Sequence, residues 1–391
     1  MSEALSLNDP SSEVEYDLGS MPLEELIELY EKMENDRIDL EKLNEIVYEI
    51  CDVYMVENNE EKVFEWKLKA AEKGIVDAQA SVAEMYDEGR GVSANYEKAL
   101  YWLIKAAEGG DLESQILLGW YYEKGKGMDQ PNNEMSFKWY KQAADFGVVD
   151  AIHRCGYSLL KIGDAQGAMS WFIKGLECRD GPSMVELAEM YRSGEGVVKD
   201  MKKSFEYYEM AAKVECRRGL MGVGTAYQFG FGVGVNFEKA RHYFELGALQ
   251  NCPGSMNNLA DMYWKGEGVE RNFQKALEWV KKSIELGSYD GIATYGEMIL
   301  AGDGVEQDYN KAFENFKIAS ENNCSFAHAL LGRMYENGWG CEKDISKAFL
   351  LYLKGAKEYD EAAVERLEST FKTSLYKKSF HLCDVVITTE P

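Results

Sequence analysis

The sequence predicts an all-α solenoid built from a helical pair that repeats about every 36 residues. A Gly-x-Gly pair recurs along the chain, with first glycines at positions 89, 125, 194, 230, 266, 302 and 338. Neighbouring first glycines are 36 residues apart, except for a gap of 69 residues that hides one shortened copy. Such a period is typical of repeat architectures, in which each unit packs only on its neighbours. With 46% hydrophobic residues and only 6 prolines, the chain has ample material for a core.

The chain is acidic, with a formal net charge of −25, and its first 60 residues hold 18 acidic against 3 basic residues. Such a surface repels phosphate groups, so we expect no nucleic-acid binding. We also expect no membrane insertion and no secretory signal peptide, because no long apolar run is present and the first residues lack a basic start followed by an apolar core. The 8 cysteines and 4 histidines show no metal-binding spacing, which predicts free thiols, no metal or other cofactor, and a cytoplasmic location.

The sequence divides into four segments, one that forms the array and three that flank it. Residues 1–20 are polar with little periodicity, which predicts a disordered acidic N-terminus. Residues 21–74 carry three stretches of helical spacing and predict a divergent helical cap. Residues 75–359 hold eight repeats, of which the third, 148–179, has a shortened turn. Residues 360–391 predict a closing helix and a tail with a β-branched end, which is either a mobile segment or an extended peptide that docks on the array or on a partner's sheet edge.

Each repeat reads as helix A, a glycine turn and helix B. The first glycine can take the left-handed conformation that ends helix A, and the second lets the turn approach the packed pair closely. A small residue in helix A marks where helix B comes near, at positions 83, 119, 156, 188, 224, 260, 296 and 332. We expect the aromatic residue of helix B to belong to the core; it is Trp102, Trp139, Trp171, Tyr207, Tyr243 or Trp279 in the successive copies.

The order of small residue, Tyr, Gly-x-Gly-Val, Lys-Ala, aromatic and Ala-Ala resembles the Sel-like repeat family, a branch of the tetratricopeptide-type α/α helical repeats, over roughly residues 60–359. The resemblance implies a right-handed α/α superhelix whose A helices line a concave face, and scaffold or adaptor roles. Secreted members carry paired cysteines in each repeat. Here Cys216, Cys252 and Cys324 occur one per unit at the same position, which favours the cytoplasm.

By analogy with related helical repeats, certain helix A positions face the concave side and would contact a partner. Exposed aromatic and arginine side chains there are candidates for the centre of an interface, since Trp, Tyr and Arg dominate binding hot spots. The predicted partner-binding residues are Trp120, Tyr157, Arg192, Met221, Phe229, Trp264 and Arg333.

Two other motifs point to chemistry only weakly. The glycines at 230, 232 and 234 lack the preceding strand and the spacing of a nucleotide-binding loop, so we interpret them as a repeat turn. Ser374 and Lys377 have the spacing found in serine acyl-transfer enzymes, and some family members have been associated with penicillin binding, but the companion motifs are missing. We therefore expect no catalytic residues.

The sequence favours a non-catalytic scaffold or adaptor that holds a partner peptide or helix in a concave groove. Two alternatives stay open. One is an acidic inhibitor or immunity-type protein that neutralises a basic partner, whose complex would weaken steeply as salt is raised. The other is an enzyme acting on a cell-wall or β-lactam substrate, which would need Ser374 as its nucleophile.

Overall fold

The structure, a computed structural model, describes residues 18–35, 39–357 and 361–370. These residues fall into two compact units, unit 1 up to Cys178 and unit 2 from Arg179 onward. Most of the predicted acidic N-terminus, together with the β-branched tail and the Ser374/Lys377 pair, lies outside the described residues. The last three residues of the N-terminal segment, Leu18–Ser20, form a 3-10 helix. The predicted boundaries at residues 21, 75 and 360 stay predictions.

Unit 1 consists of nine α-helices after the 3-10 helix. The first three are the helices expected ahead of the repeats, and the following six form three A–B pairs. Their bounds are α1 Leu23–Asn35, α2 Leu40–Val56, α3 Glu60–Glu72, α4 Val76–Glu88, α5 Tyr96–Glu108, α6 Leu112–Lys124, α7 Asn133–Asp145, α8 Val149–Ile162 and α9 Ala165–Glu177.

Unit 2 consists of five A–B pairs and a closing helix. Its helices are α10 Gly181–Ser193, α11 Met201–Lys213, α12 Arg217–Phe229, α13 Phe237–Leu249, α14 Pro253–Lys265, α15 Phe273–Glu285, α16 Tyr289–Ala301, α17 Tyr309–Glu321, α18 Ser325–Asn337, α19 Ile345–Lys357 and α20 Glu361–Thr370. In both units, each helix packs on the next helix along the chain. The described residues form helices and no strand, which confirms the predicted all-α solenoid class.

The first glycine of each turn ends an A helix in the left-handed conformation, as predicted. Gly230 has φ +78° and donates its N–H to the carbonyl of Ala226, closing α12. Helix B then begins at a polar cap, since the Asn236 side chain accepts from the N–H of Lys239. The N–H of Asn236 also donates to the carbonyl of Tyr227 at 2.8 Å. The turn is therefore fixed at both ends, because carbonyls in the last turn of helix A and an N–H group in the first turn of helix B have hydrogen-bond partners.

In six of the two-glycine turns, the second glycine lies against the start of the helix that precedes helix A; these are Gly91, Gly127, Gly232, Gly268, Gly304 and Gly340. A β-carbon at Gly232 would be 2.0 Å from the carbonyl oxygen of Met201, the first residue of α11. At Gly91 it would be 2.1 Å from the carbonyl oxygen of Glu60, at the start of α3. Only glycine permits this approach, so these six turns also join helix A and its turn to the helix before it.

The small residue of helix A lies beneath an aromatic ring of helix B. A β-carbon at Gly224 would be 2.5 Å from the Phe244 ring, and one at Gly119 would be 2.6 Å from the Tyr140 ring. The fully buried rings therefore belong to Phe244 and Tyr140, each of which directly follows the aromatic residue that the sequence predicted for the core. Of the expected set, Trp139 and Trp171 are buried, whereas Trp102, Tyr207, Tyr243 and Trp279 are only half-buried.

These contacts build one continuous apolar core in unit 1, which runs from Leu26 on α1 to Trp139 on α7. In unit 2 the buried residues form several smaller clusters between successive helices. None of the helices in the described part of the chain is long and apolar enough to span a bilayer.

Candidate partner-binding site

Unit 2 contains a cavity of about 290 Å³ formed by α10, α11 and α12. We name it the α10/α12 cavity. The two A helices supply most of its walls, one B helix contributes two residues, and the turn after α12 supplies its edge. It is lined by Val185, Glu189, Arg192, Ser204, Tyr208, Arg218, Met221, Gly222, Thr225, Ala226 and Phe231.

Two of the α12 residues that line this cavity have small side chains or none. Gly222 and Thr225 lie eight and five residues before the first glycine of their turn. In the other repeats with a two-glycine turn, the first of these positions carries Ser81, Leu117, Glu186, Asn258, Thr294 and Leu330, and the second carries Glu84, Trp120, Glu189, Asp261, Glu297 and Arg333. Helix α12 therefore has the smallest residue of the set at the first position, and at the second it has a residue about as small as Asp261 and without a charge.

The charged groups around the cavity are paired with one another. Glu189 accepts hydrogen bonds from Arg192, at 2.8 Å from Nε and 2.6 Å from Nη2, and also from the Tyr208 hydroxyl. Burial, and the Glu189 carboxylate beside it, raise the pKa of Tyr208 above its ordinary value. Arg218 Nη1 donates to Glu186 Oε1 at 2.7 Å, which joins α12 to α10. Each carboxylate at this site thus already has a guanidinium partner.

Two phenylalanines stand at the edge of the cavity, on either side of Gly230. Phe229 exposes 55% of its surface and Phe231 exposes 37%, and their rings stack with centroids 5.7 Å apart. The equivalent positions before the first glycine carry Glu88, Lys124, Ser193, Lys265, Ala301 and Asn337, and those after it carry Arg90, Lys126, Glu195, Glu267, Asp303 and Trp339. A pair of exposed aromatics is therefore a property of this turn, and exposed apolar clusters of this kind often mark interfaces.

Three of the seven predicted residues come together here. Arg192 and Met221 line the α10/α12 cavity, and Phe229 stacks on Phe231 at its edge. Met221 also lies against α14, since a β-carbon at Gly254 would be 2.5 Å from its sulfur.

Trp120 lies in unit 1, in a separate pocket of about 270 Å³ between α6 and α8. The pocket is also lined by Glu113, Ile116, Leu117 and Arg154. The Trp120 ring is half-buried, and the Lys126 ammonium lies 5.2 Å from its centroid. Fewer polar side chains line this pocket than line the α10/α12 cavity. None of the other predicted partner-binding residues lies in it.

The remaining predicted residues line neither cavity. Tyr157 is half-buried on α8, with the Lys161 ammonium 5.0 Å from its ring. Trp264 is half-buried on α14, and its indole N–H donates to Asp303 at 2.7 Å. Arg333 is half-buried on α18, and its Nε has no hydrogen-bond partner among the described residues. Their partner-binding roles stay predictions.

Sequence reasoning did not single out Tyr208 or Glu186, which complete the site. Tyr208 follows the aromatic that was expected to mark the core of helix B. The signal that identifies it is the buried small residue four positions earlier, Ser204, because the same spacing holds for Ser136 with Tyr140 and for Ala240 with Phe244. The pairing of Glu186 with Arg218 spans 32 residues and emerges only from the packing of α10 beside α12.

Within the described ranges, no group of three or more His, Cys, Asp or Glu side chains is arranged to hold a metal ion. The turn containing Gly230 and Gly232 is the helix-ending turn that the repeat predicts, with both glycines at positive φ.

The Sel1 repeat family model matches the chain over seven repeats, at residues 76–111, 112–147, 181–213, 218–252, 253–288, 292–324 and 325–360. These repeats together cover more than half of the sequence. The segment between the second and third matched repeats contains α8 and α9, with the shortened turn at Gly163. The search of curated proteins finds no match to the chain.

Several solved structures resemble the chain. A protective antigen of uropathogenic Escherichia coli with an SLR fold is 23% identical, with 90% of this chain and 91% of that chain covered and a TM-score of 0.45. A Sel1 repeat protein from Oxalobacter formigenes is 26% identical, with 60% and 94% covered and a TM-score of 0.49. An immunity protein from Pseudomonas aeruginosa is 16% identical, with 50% and 76% covered and a TM-score of 0.33.

Proposed function

Since the chain belongs to the Sel1 repeat family, whose members are generally protein-interaction scaffolds, we propose that it is a non-catalytic adaptor that binds a segment of a partner protein. The partner segment lies along the A helices of unit 2 and is anchored at the α10/α12 cavity. The predicted contact residues Arg192, Met221 and Phe229 belong to this contact surface.

The observation that carries the proposal is the meeting of the α10/α12 cavity with the exposed pair Phe229 and Phe231. A cavity of about 290 Å³ is small for a whole substrate, but it suits one anchoring side chain of a protein partner. Exposed aromatic rings beside such a cavity add apolar area that a partner can cover, which favours association by about 25 cal/mol for each Å² removed from water.

The polar groups of the cavity are suited to binding rather than to proton transfer. The Tyr208 hydroxyl donates to Glu189, and its raised pKa keeps it protonated at neutral pH. The guanidinium groups of Arg192 and Arg218 remain charged at any physiological pH and cannot serve as bases. Glu189 accepts bonds from two of these groups, so its oxygens are already engaged. This supports the non-catalytic part of the proposal.

The test is affinity capture from native lysate with a double variant, Phe229→Ser with Phe231→Glu. It converts Phe-Gly-Phe-Gly into Ser-Gly-Glu-Gly, the sequence that the chain itself carries at 193–196, so the turn is expected to fold. The matched control is Phe146→Ser, which removes a ring that is 74% exposed on unit 1. We expect a partner that the wild type and the control retain and the double variant loses. Equal capture by all three proteins would overturn the placement of the site.

A second function, an acidic inhibitor or immunity-type protein, is favoured by the net charge of −25. A complex held by that charge would weaken by orders of magnitude between about 50 mM and 500 mM salt, because long-range attraction is screened. A complex anchored at Phe229 and Phe231 would keep most of its affinity over that range. Measuring the dissociation constant of the captured partner at both salt concentrations separates the two functions. The cytoplasmic location stays a prediction.

A further inference from the structure

We infer that the α10/α12 cavity receives a hydrophobic side chain of the partner that has an Asp or Glu carboxylate next to it. This inference rests on the proposed function and adds the chemistry of the bound segment. Its two parts, an apolar anchor and an acidic neighbour, follow from different features of the site.

The apolar anchor follows from the walls. Met221 is half-buried and lines the cavity, although its sulfur lies against Gly254 of α14, and Phe231 closes the edge. Gly222 and Thr225 add little volume to the opposite side. Methionine adapts its shape to different apolar groups, and an aromatic edge stacks well on another ring. The space is about that of one large side chain, so an aromatic or long aliphatic residue fills it.

The acidic residue of the partner segment follows from which charged groups at the site can still form hydrogen bonds. The Glu186 side chain is only 14% exposed and already accepts from Arg218, whereas the Arg218 side chain is 54% exposed. Among the described residues, the other N–H groups of Arg218 have no hydrogen-bond partner. Glu189 accepts bonds from Arg192 and from Tyr208. The site therefore offers N–H donors at its surface, while its carboxylates are occupied.

A partner carboxylate would add to this arrangement, because a guanidinium can hold two carboxylates through different edges of its planar fork. A partner lysine or arginine would instead compete with Arg218 for Glu186 or with Arg192 for Glu189. It would also place a third positive charge beside the guanidinium groups of Arg192 and Arg218. The local charges thus select an acidic neighbour, although the chain as a whole is strongly acidic.

The basic residue at this position is particular to α12. Arg218 lies twelve residues before the first glycine of its turn, and the same position in the other two-glycine repeats carries Asp77, Glu113, Pro182, Gly254, Asp290 and Phe326. The same repeat also has glycine at position 222, a small uncharged residue at position 225, and the exposed phenylalanines at 229 and 231. Three departures from the repeat pattern therefore meet at one place, which points to a built site rather than to ordinary repeat variation.

The experiment is a selection of peptides from a random-sequence phage library with the purified full-length chain as bait. We expect the enriched peptides to share an aromatic or long aliphatic residue with Asp or Glu within two positions. The best peptide is then synthesised, labelled, and titrated by fluorescence anisotropy against three variants. Arg218→Glu reverses the charge at the cavity, Thr225→Trp fills it, and Arg217→Glu is the matched control on the neighbouring residue, which does not line the cavity.

Arg218→Glu and Thr225→Trp are each expected to weaken the peptide by about tenfold or more, and Arg217→Glu by less than about twofold. Circular dichroism verifies that each variant is folded. A tryptophan is compatible with the repeat at this position, because Trp120 occupies the position in α6 that Thr225 occupies in α12. Enrichment of Lys- or Arg-rich peptides, failure to enrich any, or equal affinity for all three variants would overturn the inference. If the peptides bind outside the α10/α12 cavity, this inference fails but the proposed adaptor function does not. The adaptor function is tested by the lysate capture, and it fails if that experiment finds no partner.

Discussion

Gly222 of α12 lies directly against the Tyr208 ring of α11, so close that a β-carbon at Gly222 would be 2.3 Å from the ring carbon Cδ1. This contact sets the floor of the α10/α12 cavity. It also holds in place the tyrosine whose hydroxyl donates to Glu189.

Gly222→Ala is expected to destabilise unit 2 by about 1–3 kcal/mol, because the added methyl group overpacks a fully buried contact. The measurement is urea unfolding followed by far-UV circular dichroism. The matched control is Gly234→Ala, where a β-carbon would meet no atom within 4 Å, so its free energy of unfolding is expected to stay within about 0.5 kcal/mol of wild type. Equal effects of both substitutions would show that the Tyr208 contact is not tight in solution.

The second glycine of a turn is expected to be far less replaceable than an ordinary left-handed glycine. Gly287 has φ +81°, and a β-carbon added there would meet no atom within 4 Å. Gly287→Ala therefore adds only backbone strain and should lower the free energy of unfolding by about 1–2 kcal/mol. Gly232→Ala adds a collision with the Met201 carbonyl to similar strain, so it should cost at least about 2 kcal/mol more. Thermal unfolding of the two variants side by side gives the difference. A smaller loss for Gly232→Ala than for Gly287→Ala contradicts the close approach.

The carboxyl group of Glu297 on α16 gives unit 2 a pH dependence. Burial, and the charge of Asp261, raise its pKa to about 7, while Lys265 and Arg333 oppose the shift. Because the folded state holds this proton more tightly than the unfolded state, the group's contribution to stability is fully present below its ordinary pKa and is lost as pH rises toward 7.

Glu297→Gln should therefore raise the free energy of unfolding at pH 8, by roughly 1–3 kcal/mol, and change it little at pH 4.5. Urea unfolding of wild type and variant at both pH values tests this. Glu278→Gln, at an exposed position on α15, is the control for the chemical change itself. A stabilisation that is the same at both pH values would assign the effect to the amide itself and not to the raised pKa.

The cysteines should differ sharply in reactivity. Burial and a hydrogen bond to Asp290 raise the pKa of Cys324 to about 12, and burial raises that of Cys155 to about 12, whereas Cys178 is exposed. Since the thiolate is the reactive form, iodoacetamide at pH 8 should modify Cys178 first and the other two only after unfolding. Peptide mapping by mass spectrometry at successive times gives the order, with labelling in urea as the reference. Labelling of Cys324 in the native protein as fast as Cys178 would be incompatible with its burial.

The sequence was sufficient for the fold because the glycine at each helix end is needed for a backbone reason. Gly230 and Gly232 require positive φ, and their spacing sets the register of every other position in the repeat. The same register locates helix B, but from it we predicted Tyr207 as the core residue, whereas Tyr208 is the buried one. Tyr207 and Tyr208 are both aromatic, and the structure distinguishes them because Tyr208 contacts Gly222 and lies four residues after the buried Ser204.

The site was predictable only in part. Arg192, Met221 and Phe229 could be proposed because position within a helix indicates which side chains share a face. Their convergence on one cavity depends on how far α10 lies from α12, which a one-dimensional pattern does not specify. The pairing of Arg218 with Glu186 likewise depends on that distance, since their side chains could each have faced solvent instead.

The contact between Gly232 and Met201 bears on where the chain can be cut for expression. A fragment that stops at the end of a helical pair keeps its helices but exposes the first backbone carbonyls of its final B helix, which the following turn would have covered. A fragment that continues through the next turn retains that cover, so useful C-terminal boundaries lie after a glycine pair, such as after Asn236, and not between one pair and the next.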